Sequence, residues 1–206
     1  MLRLMLVSLS ACAVAGPLDP PPPPLSLHDR LSDGPLRFAL AGTGSVEAEH
    51  RAMGDHWVGG GAGITVSTGA LIVHLEGARL VADSFDVSLD PIALPESVFD
   101  QPASLTAVRV TLASSSGALP TWTSGDVTAG FDLRLDLAWS ITIAGGSTAL
   151  GVQHLPTIPM ELELTGTGSG VDASLYLKGT GELWSWATLV RLSNLALSLA
   201  ATSRFE

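Results

Sequence analysis

From Val127 to Ile143 every second residue is apolar: Val127, Ala129, Phe131, Leu133, Leu135, Leu137, Trp139, Ile141 and Ile143. Between them stand Thr128, Gly130, Asp132, Arg134, Asp136, Ala138, Ser140 and Thr142. Successive side chains of a strand point to opposite faces, so this stretch has one apolar face and one wet face. A helix would scatter the same residues around its axis, so the stretch is β. At about 3.3 Å per residue it reaches about 56 Å, several times the usual strand. A strand of that length either bends between two sheets, with Gly130 as the expected bulge, or belongs to a large curled sheet or barrel wall.

The rest of the chain from Leu36 onward has the same texture, in shorter pieces. Strands are expected over Leu36–Ala41 and Ser45–Met53, the second with Val46, Ala48 and His50 opposite Glu47, Glu49 and Arg51. Gly59–Gly63 is expected to be a flexible turn or bulge. Strands follow over Ile64–Ser67, Leu71–Glu76 and Arg79–Leu89. Asp90-Pro91 should end the last of these, because proline lacks an N–H and restricts the residue before it. Ile92–Leu105 and Ser114–Ser124 are expected loops around a strand at Leu105–Ala113. Beyond the long strand, Gly145-Gly146-Ser147 closes a turn and Pro156 and Pro159 mark an edge position. Met160–Thr165 and Val171–Leu177 alternate on either side of Gly166–Gly170, a hairpin pattern. Leu183–Ala201 is ambiguous: Leu195, Leu197 and Leu199 alternate as a strand, whereas Leu183, Trp186, Ala187 and Val190 suit a helical turn. About nine to eleven strands joined by short turns predict antiparallel pairing. The expected fold is all-β, a sandwich or curled barrel-like sheet with long strands and at most one short helix.

The chain of 206 residues fits one domain, over 36–206, behind a targeting segment. With 46% apolar and 15% charged residues it can bury a sizeable core, and the body is not of the disordered class. The net charge is −10 and Lys178 is the only lysine. Nucleic-acid binding needs a basic footprint that this chain lacks, and adsorption to anionic membrane surfaces is disfavoured for the same reason.

At the N-terminus Arg3 precedes the apolar run Leu4–Leu9, and residues 1–15 form a signal-peptide region. Two cleavage patterns compete there. Ala13-Val14-Ala15 before Gly16 fits ordinary secretory cleavage after Ala15. Leu9-Ser10-Ala11-Cys12 resembles the lipobox of bacterial lipoprotein signal peptides. That resemblance implies cleavage before Cys12, lipidation of Cys12 and anchoring to a membrane of the cell envelope. Ala13 rather than Asp after the cysteine implies, by the same resemblance, the outer membrane. Cys12 is the sole cysteine, so no internal disulfide can form. The apolar run is far short of the ~20 residues that span a bilayer. Residues 16–35 follow, with six of the thirteen prolines between Pro17 and Pro24. They predict an extended polyproline tether that holds the domain off a membrane.

Catalytic and cofactor motifs are sparse. Gly145–Ala149 is a loose variant of the nucleophile elbow without the helix that motif requires. Asp132 and Asp136 lie ~13 Å apart on one strand face, too far for paired-carboxylate chemistry. Glu161 and Glu163, ~6.6 Å apart, fall within that range, as nearly every wet strand face does. His50, His56 and His74 are weak metal candidates, with Asp55, Glu76 and His154 as further donors. The spacing of His50 and His56 matches no firm ligand signature. No cofactor, metal or catalysis is expected. Trp122, Trp139, Trp184 and Trp186 serve either core packing or the wall of an apolar-ligand site. The expected function is a lipid-anchored cell-envelope β-domain with a structural or adhesive role, or one that binds an apolar small molecule or lipid. Its expected partners are a membrane, through the anchor, and such a ligand. Two alternatives stand beside it: a small outer-membrane β-barrel, poorly served by 5% aromatics and a single tyrosine, and a secreted hydrolase using the acidic and histidine residues above.

Overall fold

The long alternating stretch forms strand over 126–133 and again over 135–143, and the rest of the chain wraps around it. The computed structural model describes residues 26–51, 57–94, 102–179, 183–185 and 190–204. Among these, one helix, α1 (Leu27–Asp33), precedes the strands. They are β1 (Leu36–Ala39), β2 (Ala41–Arg51), β3 (Trp57–Glu76), β4 (Arg79–Leu89), β5 (Ile92–Ala93), β6 (Ala103–Leu112), β7 (Ser116–Ala118) and β8 (Thr121–Trp122). β9 (Asp126–Leu133), β10 (Leu135–Ile143), β11 (Gly146–His154), β12 (Ile158–Gly166), β13 (Gly170–Gly179), β14 (Leu183–Ser185) and β15 (Val190–Arg204) complete the set. The protein is all-β, as expected, in a single, strongly curled antiparallel sheet.

Many of these strands are consecutive lengths of one stave. β1 runs into β2, β4 into β5, β6 through β7 to β8, β9 into β10, and β11 into β12. Each stave pairs antiparallel with its neighbour in sequence, and β15 returns to pair with β2 from Val190↔His50 to Ala200↔Ala41. The result is a strongly curled, barrel-like sheet with an up-and-down course. Its ladders pass right round at the end that holds α1 and part at the other end, between β11 and the end of β13. Local turn chemistry fits this course. Ala144 (φ 48°) and Gly145 (φ 84°) make the tight turn from β10 to β11. Thr167 N–H donates to Gly170 O at 2.9 Å in the β12–β13 hairpin, where the sequence predicts one.

One apolar cluster fills the interior. Phe38, Phe85 and Phe131 lie in it with Leu71, Leu133 and Leu164, all at most 2% exposed. The inward faces of β9 and β10 are the apolar set read from the sequence, and the outward faces carry Asp132, Arg134 and Asp136. On the outer face of β4 and β6, Arg109 donates through Nε to Asp86 Oδ1 at 2.9 Å and through a second nitrogen to Oδ2. Hydrogen bonds and the charge of Arg109 hold the Asp86 carboxyl below its ordinary range. A lowered folded-state pKa contributes stability above the unfolded value and loses it as pH falls through the folded one. The wild type should therefore exceed Asp86→Asn in stability at neutral pH. Denaturant unfolding should show that small difference vanish as pH falls below the usual aspartate range.

Several expectations need correction. The last part of the segment expected as tether, 16–35, is folded. Ser26 Oγ accepts from Asp29 N at 3.1 Å and Asp29 Oδ2 accepts from Ser26 N at 3.3 Å, a capping box that starts α1. Leu27 and Leu31, four residues apart on one helix face, are 7% and 1% exposed. The helix packs against β3, and the His28 ring meets Trp122 of β8 at 5.1 Å, tilted by 53°, so α1 sits over one end of the barrel. The break in the long strand falls at Arg134, not Gly130, which pairs regularly with Glu161. Leu133 pairs with Ile158 but Asp136 with His154, a slip of one residue around Pro156, whose nitrogen has no hydrogen to donate. Gly59–Gly63 is no turn but the first half of β3, paired with Ser45–Glu49. The ladder past Asp90-Pro91 resumes at Ile92↔Leu105, and the expected loop 114–124 contains β7 and β8. Leu183–Ser185 and 190–204 are strand, and Trp186 and Ala187, which carried the helical alternative, lie outside the described residues.

Candidate functional site

The barrel is packed solid near α1 and hollow toward the other end. There a cavity of about 490 Å³ lies within the curled sheet. Its inner wall is aliphatic, with Val46 of β2, Ile64 of β3, Leu105 and Val108 of β6 and Leu137 of β10, joined by Trp139. Phenylalanines lie in the packed core, whereas valine, isoleucine, leucine, Gly179 and Trp139 line the hollow. A volume in this range suits a small-molecule site.

Bulges shape this half of the barrel. Trp139 is flanked by one on each side. Toward β6 the register slips between Ala138↔Arg109 and Ser140↔Thr106, with Ala107 at φ 51°. Toward β11 it slips between Trp139↔Gly151 and Ser140↔Ala149, with Gly151 at φ 78°. A third bulge, between β15 and β2, holds Asn194 at φ 51°, and its Nδ2 donates to Glu47 Oε2 at 2.6 Å. Each bulge adds local twist and re-aims its neighbours, and together they widen the curl around the cavity. Trp139 itself is 3% exposed and its indole N–H finds no acceptor among the described residues. An unsatisfied buried donor costs about 1–3 kcal/mol.

The cavity reaches the surface where the wall parts. β12 and β13 pair from Met160↔Leu177 to Gly166↔Val171, and the described ladder goes no further. Upstream of Met160 stand Pro159 and Pro156, each without a backbone donor, so this edge cannot continue the ladder normally. The proline signal for an edge is realised here. Leu155 and Ile158 turn inward and are buried, while Pro156, Thr157 and Pro159 are exposed. All five line the cavity, with Lys178, Gly179, Ser193 and Leu195 on the facing side. Among the described residues, Lys178 is the one charged residue of the lining.

Among the described residues, those singled out for metal or acid–base chemistry are not brought together. His50 lies in β2, paired in backbone register with Val58 and Val190, and nothing more is described of it. His56 and Asp55 lie outside the described residues. His74 is on the outer face near the α1 end, with Nδ1 2.6 Å from Asp83 Oδ2. His154 is also outside, with Nδ1 2.5 Å from Asp136 Oδ1. Among the described residues no group of three or more His, Cys, Asp or Glu could hold a metal ion. Glu161 and Glu163 stand in a shallow groove on the outer wall beside Leu119 and Tyr176. Of the tryptophans, Trp139 lines the cavity and Trp122 packs on α1. Cys12 lies outside the described residues. The lining residues Val46, Ile64 and Val108 carried no sequence signal beyond alternation, which marks an inward side chain but not the emptiness in front of it. No protein-family model matches the chain, and a search of the curated proteins found no match.

Proposed function

We propose that this protein is a cell-envelope carrier: a β-barrel held to a membrane through a lipidated Cys12, with an apolar molecule bound inside it. The observation that carries this reading is the cavity of about 490 Å³, walled by aliphatic side chains and Trp139 and reaching the surface at a parted edge. A structural or adhesive domain of this size has no need of a hollow core, since protein interiors are otherwise close-packed. The anchor rests on the lipobox resemblance, and the prolines between Pro17 and Pro24 supply a spacer ahead of α1. The membrane-barrel alternative is less well supported. Such a barrel turns its apolar face to lipid and its polar face inward, whereas β9, β10 and β12 turn Asp132, Arg134, Glu161 and Glu163 outward. Among the described residues, the hydrolase alternative finds no enclosed pair of the acidic and histidine residues on which it would depend.

The test uses the full chain expressed with its leader in a bacterial host. Phenylnaphthylamine, an uncharged dye that brightens in apolar sites, should bind the purified, delipidated protein. Val108→Trp should cut that binding about tenfold or more by filling the hollow, with circular dichroism confirming the fold. A Cys12→Ser variant should lose an acyl mass that intact mass spectrometry finds on the wild type. Absence of dye binding, or binding indifferent to Val108→Trp, would refute the carrier reading. A mature chain that starts at Gly16 without lipid would remove the anchor.

A further inference from the structure

The carrier reading leaves open what chemistry the occupant has, and the parted edge narrows it. The inner wall is aliphatic and holds no charged side chain, so the buried part of an occupant is a hydrocarbon. Polar groups of the lining gather at the surface end of the cavity: Thr157 on one side of the gap, Ser193 on the other, and Lys178 exposed at the rim on the outward face of β13. Lys178 is the only lysine of the chain and, among the described residues, the only charged group of the lining, in a protein of net charge −10. Among the described residues no carboxylate lines the cavity, and Glu161, paired with Tyr176, shares the outer face with Lys178.

We infer that the occupant is a single-chain amphiphile with an acidic head group, its chain inserted through the gap beside Pro156–Pro159 and its head held at Lys178. The inference rests on the carrier reading. The prolines are what make the gap suitable. Pro156 and Pro159 each remove one backbone donor from this edge, which weakens pairing against β13 and leaves fewer N–H groups to satisfy in the opening. A carboxylate and a phosphate monoester share the chemistry Lys178 recognises, and a lysine ammonium, as a compact point charge, accepts either.

The experiment displaces phenylnaphthylamine from the delipidated full chain with three probes of equal chain length: palmitate, methyl palmitate and hexadecyl phosphate. Both anions should displace the dye about fivefold more effectively than the ester, the range for a charge-assisted contact at a partly exposed site. Lys178→Gln should abolish that preference without weakening the ester, Lys178→Arg should keep it, and added salt should erode it. A fatty-acid source would show as preference for palmitate and a phosphorylated lipid as preference for hexadecyl phosphate, and either supports the inference. Equal displacement by acid and ester, or a preference unchanged in Lys178→Gln, would overturn the acidic head while leaving the carrier intact. Failure of the uncharged dye itself to bind would overturn both.

Discussion

Gly44→Ala will lower the stability of the barrel by about 3 kcal/mol or more, while Gly61→Ala, seventeen residues on, will change it by no more than about 0.5 kcal/mol. Both glycines lie in paired strands, so strand propensity does not separate them. Position does. Gly44 belongs to β2 where β15 returns to close the ring. A β-carbon there would sit 2.1 Å from the carbonyl oxygen of Ala196 and 3.0 Å from the α-carbon of Leu197. Those atoms are backbone, and neither can swing aside as the tip of a side chain can. Relief would require β2 and β15 to separate, with loss of the pairs Ser45↔Ala196 and Leu197↔Gly44. Gly42 repeats the arrangement against Ser198, with 2.0 Å to its carbonyl oxygen, so the closing seam depends on close backbone approach at two successive inter-strand positions. At Gly61 a β-carbon meets nothing within 4 Å. Urea unfolding of the two variants side by side is the check. A Gly44→Ala midpoint equal to that of Gly61→Ala would show that β15 does not close on β2 in this way.

Leu31→Asp should be at least as damaging, with a loss of about 4 kcal/mol or more, enough to unfold a domain of ordinary stability. Leu31 is 1% exposed, on the face of α1 that enters the core, and no basic group of that cluster could pair with a carboxylate placed there. Removal of the leucine side chain alone costs about 2–5 kcal/mol at such a site, and burial of a charge adds to it. Asp33→Ala, on the exposed side of the same helix, serves as the control. Thermal unfolding followed at the tryptophans would read both. If Leu31→Asp melted like the wild type, α1 would not be part of the folded body, and 16–35 would be a tether throughout.

That second prediction marks a boundary of what local pattern could tell. Six prolines in eight residues outweighed a seven-residue helix whose only local signals are Ser26, Asp29 and two leucines four apart. The signals were present, but a helix of two turns is marginal by itself and forms because Leu27 and Leu31 find the barrel's end. The glycines at 59–63 misled in the opposite direction. Glycine runs mark turns where nothing else acts, yet here β2 approaches so closely that a β-carbon at Gly59 would lie 1.9 Å from the Ala48 carbonyl oxygen. Crowding by a partner strand is invisible in the run itself. The same limit applies to the site: Val46, Ile64, Val108 and Leu137 alternate as Phe85 and Phe131 do, and only their mutual placement shows that one set is packed and the other faces a void.

What this sequence determined by itself was the class of fold and the orientation of its long strands, because side-chain alternation is a property of a strand before it has any partner. It also marked, through Pro156 and Pro159, the edge where pairing would fail, since a missing N–H is a covalent fact. Tertiary structure alone decided the rest. β15 returns to β2, the kink in the long strand falls opposite Pro156 rather than at Gly130, α1 covers one end, and the far half stays hollow. Each of these depends on how segments remote in sequence fit in volume and register, and neither volume nor register is written in any one of them.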